Sequence, residues 1–460
     1  VRLRATVYIL IPLVVMGLLL GAVAVVPAAS PATAVAPSAV GQAALACAAS
    51  EGTTAATRTA VAPGGEVTVT GVGESKPKVV AGSVAVATAD SSLRISAPVD
   101  IAFGGTSIAS GDSGPLRGVS LTSCRTPATE SWVTGVRSSD DVLTDLVLTN
   151  LDKDSAAVDL TFYGADGEVA APGARGIVVD ALSQRSISLK PLVSQDGPVT
   201  IHVETSEGRV AAVARETVWQ GTNAVGTDWV APGSAGTDVV VPGVAAGSGT
   251  RQLVVTNPGD RSVTASVTAL TGNGPVALEG AAQVDVPPQS TRTVSLETGL
   301  AQEAAAIRVT ATSTIAAAVR ADTASAGATS DIAVASAGGA LPQRAVLPVA
   351  AGTSATTSLL LSNASDTDAA ATVRFTDASG ASLGDETVSL VAGASASVEV
   401  PRTTAVAIEV ETTRGSLHGA VVVTATLGKV HGIGIAAYAG LADQDAPRLV
   451  EDPHVDERAR

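Results

Sequence analysis

The pentapeptide GDSGP at 111–115 sets Ser113 between glycines, the setting of a serine-protease nucleophile. Such a serine attacks only when a histidine base takes its proton, and in that arrangement the histidine precedes the serine in the chain. Here the first histidine is His202, downstream and in a different expected domain. The segment therefore reads as a Gly/Ser loop. The remaining histidines, His418, His431 and His454, show no i, i+4 spacing that would put two ligands on one helical face. His418 and His431 are placed to meet across a hairpin, the one metal-like pairing on offer. Asp152 and Asp154, and again Asp366 and Asp368, form acidic turns of the kind that can hold Ca²⁺. The corresponding turn between them carries only Asp260 and no bidentate Glu, so all three read as solvated loops. GIGIAA at 432–437 fits a dinucleotide-binding G-x-G-x-x-A, but the pattern works only between a strand and a helix N-terminus. It lies among strand-like runs. No cofactor is implied.

The elements that would have to position any such group announce themselves through repetition. LVLTN (146–150), LVVTN (253–257) and LLLSN (359–363) recur at spacings of 107 and 106 residues. The match runs without a gap from position 132 to Gly167 in the first copy, and the partners of that glycine are Gly274 and Gly380. Asp166, Asn273 and Ser379 precede the three glycines, which is hairpin-turn chemistry. Further downstream come IHV (201–203), IRV (307–309) and IEV (408–410). Period-two alternation keeps the copies in phase. Ile201, Ile307 and Ile408 should then point inward, and His202, Arg308 and Glu409 outward. Asn150, Asn257 and Asn363 should each end a strand and start a turn, because Asn tolerates left-handed backbone and bonds its own turn.

Short alternating strands punctuated by Gly, Pro, Asn and Asp describe an all-β chain. We expect three immunoglobulin-like β-sandwich repeats at 132–230, 231–338 and 339–441, strung as an extended tandem array. Residues 45–131 have similar strand texture but do not align; they read as a fourth, divergent sandwich or a cap. The tail 442–460 is charged and aperiodic and is expected to be disordered.

Arg2 and Arg4 are the only charges before Glu51, and Ala5 to Val26 is apolar. Residues 1–30 thus read as a signal anchor or signal peptide with the arginines inside. The length of the apolar run favours retention; Ala32-Thr33-Ala34 offers a cleavage site. Residues 31–44 form a Pro/Ala-rich spacer. In an exported chain Cys47 and Cys124, the only two cysteines, are expected to pair. ALAC before Cys47 lies too far past the apolar run to be a lipid-attachment site. The net charge of −15 argues against nucleic acid, and three each of Phe, Tyr and Trp leave little for aromatic ligand platforms.

An exported N-terminus, Cys124 shortly before WVTG (132–135), and LVLTN followed by VDLTFYGADGEV (158–169) together resemble a family of uncharacterised large secreted proteins of high-GC Gram-positive bacteria. The resemblance implies location and lineage and carries no chemistry. The expectation is a non-enzymatic secreted or membrane-anchored envelope protein whose sandwiches act as a spacer or an interaction surface. Its partners would be the membrane, through the N-terminal helix, and an envelope protein or polysaccharide. Two alternatives stand beside it: an adhesion module with its binding surface in 45–131, and a serine hydrolase acting through Ser113.

Overall fold

Alternating residues give a strand one buried and one wet face, and Val142–Asn150 obeys this only in its first half. Val142, Thr144 and Leu146 are buried and Leu143 and Asp145 exposed, but from Leu146 to Asn150 every residue is buried. Gly249–Asn257 repeats the pattern. A strand buried on both faces must have a second layer over it. In this computed structural model that layer comes from a neighbouring block: Val147, with Val213 and Trp229 of its own sheet, packs on Ala48. The structure describes residues 42–49, 56–76, 78–81, 84–88, 91–247, 249–323, 330–349, 355–401 and 405–439. The expected N-terminal helix and the charged tail lie outside them. The described residues belong to one unit, Gly41–Gln444.

The unit is all-β, with paired strands antiparallel throughout. Residues left open between sandwich and cap, 45–131, form two four-stranded sheets. One orders Gln42–Cys47, Leu93–Pro98, Glu66–Gly71 and Lys78–Ala81; the other orders Val84–Thr88, Thr57–Val61, Gly104–Gly111 and Gly118–Ser123. The first strand begins at Gln42, so the spacer expected over 31–44 gives way to structure before its end. Cys47 and Cys124 form a disulfide in the core of this block, beside Ile95 and Phe103.

The first repeat stacks Ser183–Ser188, Val142–Asn150, Ala211–Gln220 and Asn223–Val230 against a sheet that includes Ala156–Gly164, Gln195–Glu207 and Glu130–Ser138. Leu146, Leu148, Leu160, Phe162 and Ile201 fill the space between them. The third repeat has the same two sheets. In the second, eight strands join into one sheet, because Ala305–Thr323 runs unbroken through both layers. At the corresponding point the other copies hold Gly208 and Gly415, each at positive φ, which end one strand and start the next. The second copy is one residue shorter there and has no such glycine, so its strand bends across instead of breaking.

The extended array expected from the sequence is not what forms. The first repeat packs on the N-terminal block through Val147 and through Gln184, whose amide donates to the Ala49 carbonyl at 3.1 Å. The second repeat packs on the first through Trp132, Tyr163 and Ala316, and the third on the second through Val240, Leu270 and Ala306 with Ala364. The third repeat then meets the N-terminal block through Val346, Ala407 and Val61. Trp132, Val240 and Val346 are equivalent in strand pairing, opposite His202, Arg308 and Glu409 respectively; the ungapped sequence match sets Trp132 against Val239 and Ala345, one residue off, because the first copy's pairing shifts register beside Val199. Three of the four seams thus use equivalent positions, and the four blocks close into a circuit. The physical reason is the apolar outer face: Val240, Leu270 and Ala306 would otherwise meet water, and burying a Val or Leu side chain is worth about 1.5–3 kcal/mol.

Candidate functional site at the junction of four closing strands

Each block ends in a strand that pairs with its own sheet along one edge only: Gly118–Ser123, Asn223–Val230, Ile332–Ser336 and Val430–Ala437. An unpaired edge is a row of donors and acceptors that must find partners. These four edges find them in one another. The carboxylate of Asp228 accepts from the backbone N–H groups of Leu121 (3.1 Å) and Val334 (3.2 Å). One oxygen of Asp331 accepts from Val119 (2.8 Å) and Ile433 (3.0 Å). Ser120 donates to the Thr227 carbonyl (2.7 Å), Ser336 to Ala231 (2.6 Å) and Ser123 to Ala437 (3.1 Å). Two aspartates therefore tie four blocks together.

Both are fully buried. Burial pushes the Asp228 carboxyl well above the usual range, against the pull of its N–H donors, and the nearby Asp331 adds to the rise. Burial likewise raises Asp331 to about 7, opposed by its backbone donors and by Arg117. Arg117 donates to the carbonyls of Val225 and Ser330, which holds the chain on either side of the junction. Raised carboxyls are what general acids look like. Here, however, three of the four oxygens serve backbone amides, so the arrangement holds strands and can store a proton.

A second buried cluster lies between the first two repeats. Glu216 accepts from Arg320 at 2.6 Å and from Arg137 at 2.9 Å. Burial alone would raise this carboxyl, but the two guanidinium groups outweigh it and hold it below its ordinary value. Arg320 also donates to the carbonyl of Gly135. Gly135 has φ +87, and the second repeat's Val254 and Ala318 lie against it. The WVTG box is therefore a seam element: Trp132 stacks on His202 with ring centroids 4.0 Å apart and packs on Tyr163.

Asn150 is buried and makes four contacts. Its Nδ2 donates toward the carbonyls of Asp154 (2.8 Å), Val179 (3.2 Å) and Asp180 (3.1 Å), and its Oδ1 accepts from Asp152 N–H at 2.9 Å. Asn257 contacts Arg261, Val286, Pro287 and Gly259 in the same way, and Asn363 contacts Thr367, Leu390, Val391 and Ser365. Gly167, Gly274 and Gly380 have φ of 128, 106 and 83. Ile201, Ile307 and Ile408 are fully buried. His202, Arg308 and Glu409 lie on the opposite face, and each pairs with a complementary group on the adjacent strand: Glu130 at 2.9 Å, Asp238 at 2.7 Å and Arg344 at 2.9 Å. The residue changes from copy to copy and its partner changes with it.

The tempting motifs resolve into packing. Ser113 is exposed and bonds Asp112 at 2.9 Å, and Arg215 holds the turn through the Pro115 carbonyl at 2.8 Å. In GIGIAA, a Cβ on Gly432 would stand 2.6 Å from Val119, and one on Gly434 would stand 2.7 Å from Leu121. The glycines admit the neighbouring block's closing strand. His431 pairs across its hairpin with Thr426, while His418 lies at the far end beyond Ala420 and Ala437, so the two histidines do not meet. Asp152 pairs with Arg209 and Asp368 with Arg414. Sequence reasoning missed Asp228, Asp331, Glu216 and Arg320; the available signal was a lone charge inside an apolar strand, as in GTDWV and AAAVRA.

A family model described as a family of unknown function (DUF5719) matches residues 93–401. No curated protein matches the sequence. Among solved structures, Escherichia coli alpha-2-macroglobulin activated by porcine elastase aligns at 11% identity and a TM-score of 0.11. The alignment covers 84% of this chain and 41% of that one, a likeness too slight to inform fold or activity.

Proposed function

Because the chain belongs to the DUF5719 family, whose description assigns no activity, we propose a function from geometry: a non-enzymatic, exported β-scaffold of the cell envelope. The apolar segment Ala5 to Val26 would hold it at the membrane or direct its secretion. On this reading the blocks are immunoglobulin-like sandwiches, three of them copies of one repeat, and they act as a rigid interaction platform. The observation that carries the proposal is where the buried polar side chains go. Asp228, Asp331 and the three asparagines direct their hydrogen bonds to backbone groups. Glu216 goes to two arginines of the same seam. The Cys47–Cys124 disulfide supports export, since such bonds persist in oxidising compartments.

A detached adhesive tip at 45–131 fits less well, because that block closes the circuit against the third repeat. The envelope proposal is tested on cells making the full chain. Fractionation, with a membrane-impermeant thiol reagent applied before and after reduction, should find an extracytoplasmic protein whose cysteines react only once reduced. Cytosolic protein with two free thiols would overturn it. Fluorophosphonate labelling lost in Ser113→Ala would overturn the non-enzymatic part.

A further inference from the structure

Arg125 follows the closing strand of the N-terminal block and bridges back to Ala46 through two backbone hydrogen bonds, at 2.7 and 2.8 Å. Its side chain turns toward the first repeat. There, Nε and Nη2 are shut off from solvent and, among the described residues, have no hydrogen-bond partner. The same holds for Oγ1 of Thr149, a residue only 1% exposed. Both residues line one cavity of about 10 Å³, together with Ala46, Thr122, Ser123 and Ala211. Thr122 and Ser123 already spend their hydroxyl hydrogens on carbonyls. Among the described residues no carboxylate lines the cavity.

We propose that Arg125 and Thr149 bind one small monovalent anion, of the size of chloride, in the seam between the N-terminal block and the first repeat. A buried charge without a partner is expensive enough that proteins pair or neutralise it. Among the described residues nothing neutralises Arg125: burial pulls its pKa down to about 10, and no acidic group opposes the fall. The groups that face the cavity without partners are donors, which suits an acceptor that carries negative charge. The volume selects among anions. A space of about 10 Å³ is room for a water or a monatomic ion, and phosphate, sulfate and carboxylates are excluded by size. The anion would bridge two blocks at a point where the first repeat offers Thr149 and the N-terminal block offers Arg125. Halide binding would thus tighten this seam.

The test uses the full chain. Crystals grown in bromide should show an anomalous peak within hydrogen-bond distance of both Arg125 and Thr149. Melting temperature should rise with chloride relative to gluconate at equal ionic strength. Thr149→Val removes one hydrogen bond to the ion without changing shape and should weaken the chloride midpoint about 10-fold or more; Arg125→Met should abolish the chloride effect. Should Arg125→Met fail to fold, bromide and Thr149→Val decide the matter. Equal melting in the two salts overturns the proposal, whether the crystal shows a water or shows bromide at crystal concentration only.

Discussion

Replacing Asn257 by Asp changes one NH₂ group for one oxygen and leaves shape untouched. Nδ2 of Asn257 stands 2.7, 3.1 and 3.1 Å from the carbonyl oxygens of Arg261, Val286 and Pro287. In the variant an anionic oxygen faces those three acceptors, and all the donor bonds are lost. The Val286 bond is buried, and stranding that carbonyl costs about 1–3 kcal/mol. The two partly buried bonds reach water more easily and add about 0.5–1.5 kcal/mol each. Asn257→Ala should therefore cost roughly 2–6 kcal/mol, and Asn257→Asp more at pH 8, where repulsion is added. Protonation restores one donor, so the variant's carboxyl titrates higher in the folded than in the unfolded state. A raised folded pKa means stability is regained as pH falls, at up to about 1.4 kcal/mol per pH unit. Urea denaturation followed by tryptophan fluorescence at pH 5 and pH 8 measures both effects. An Asp variant as stable as the parent at pH 8, or one with the parent's pH dependence, would refute the donor argument. It would also remove the physical reason for the recurring asparagine.

Asp331 carries a carboxyl raised to about 7 from an ordinary 3.8, so its contribution is fully present below 3.8 and lost as pH rises through 7. Between pH 5 and pH 8 the parent should lose about 2–3 kcal/mol from this group, and Asp331→Asn should flatten that slope; an unchanged slope in denaturation titrations refutes it. Removing the Cys47–Cys124 bond, which spans 77 residues, should cost roughly 4–5 kcal/mol on the chain-entropy account. A Cys47→Ser/Cys124→Ser variant that melts with the oxidised parent contradicts this. Gly434→Ala puts a Cβ 2.7 Å from Leu121 in the neighbouring block, an overpacking of about 1–3 kcal/mol. Gly280→Ala, whose Cβ meets nothing within 4 Å but whose φ is +75, isolates the backbone cost for comparison; equal losses would deny the close approach.

Much of the strand architecture was legible because β patterning is local. The inward isoleucines, the glycine turns and the strand-ending asparagines all follow from a period of two held in register across copies. The circuit was not legible, although its trace was present. LVLTN breaks alternation: Val147, like Val254 and Leu360, is apolar where an outer face should be polar. A one-sandwich reading has no use for these residues, and only a neighbour's surface explains them. Leu360 joins the second repeat's core, and Val254 lies against Gly135 of the first. The aspartates were illegible for a different reason. Their partners are backbone N–H groups of strands between 102 and 212 residues away in sequence, and a backbone amide has no letter of its own. His202 illustrates the middle case: its varying type in three copies marked an outer face, while its Glu130 partner appears only once the strands are in register.

A chain is made from its amino end, and the circuit has a consequence for the order of events. Ile433, one of the amides that Asp331 holds, lies on the last described strand, and Ser123 of the first block reaches Ala437 on that same strand. While the carboxyl end is still being synthesised, the N-terminal block and two repeats can exist, but the junction lacks its fourth side. Asp331 then lacks the Ile433 amide and keeps that of Val119, and Ser123 has no Ala437 carbonyl to reach. Emergence of Val430–Ala437 is thus a timing step. Contacts that join the two ends of a chain are the slowest to form, because their loop entropy is lost before they are made. The circuit's longest-lived vulnerable state is an open chain of well-formed blocks awaiting Val430–Ala437.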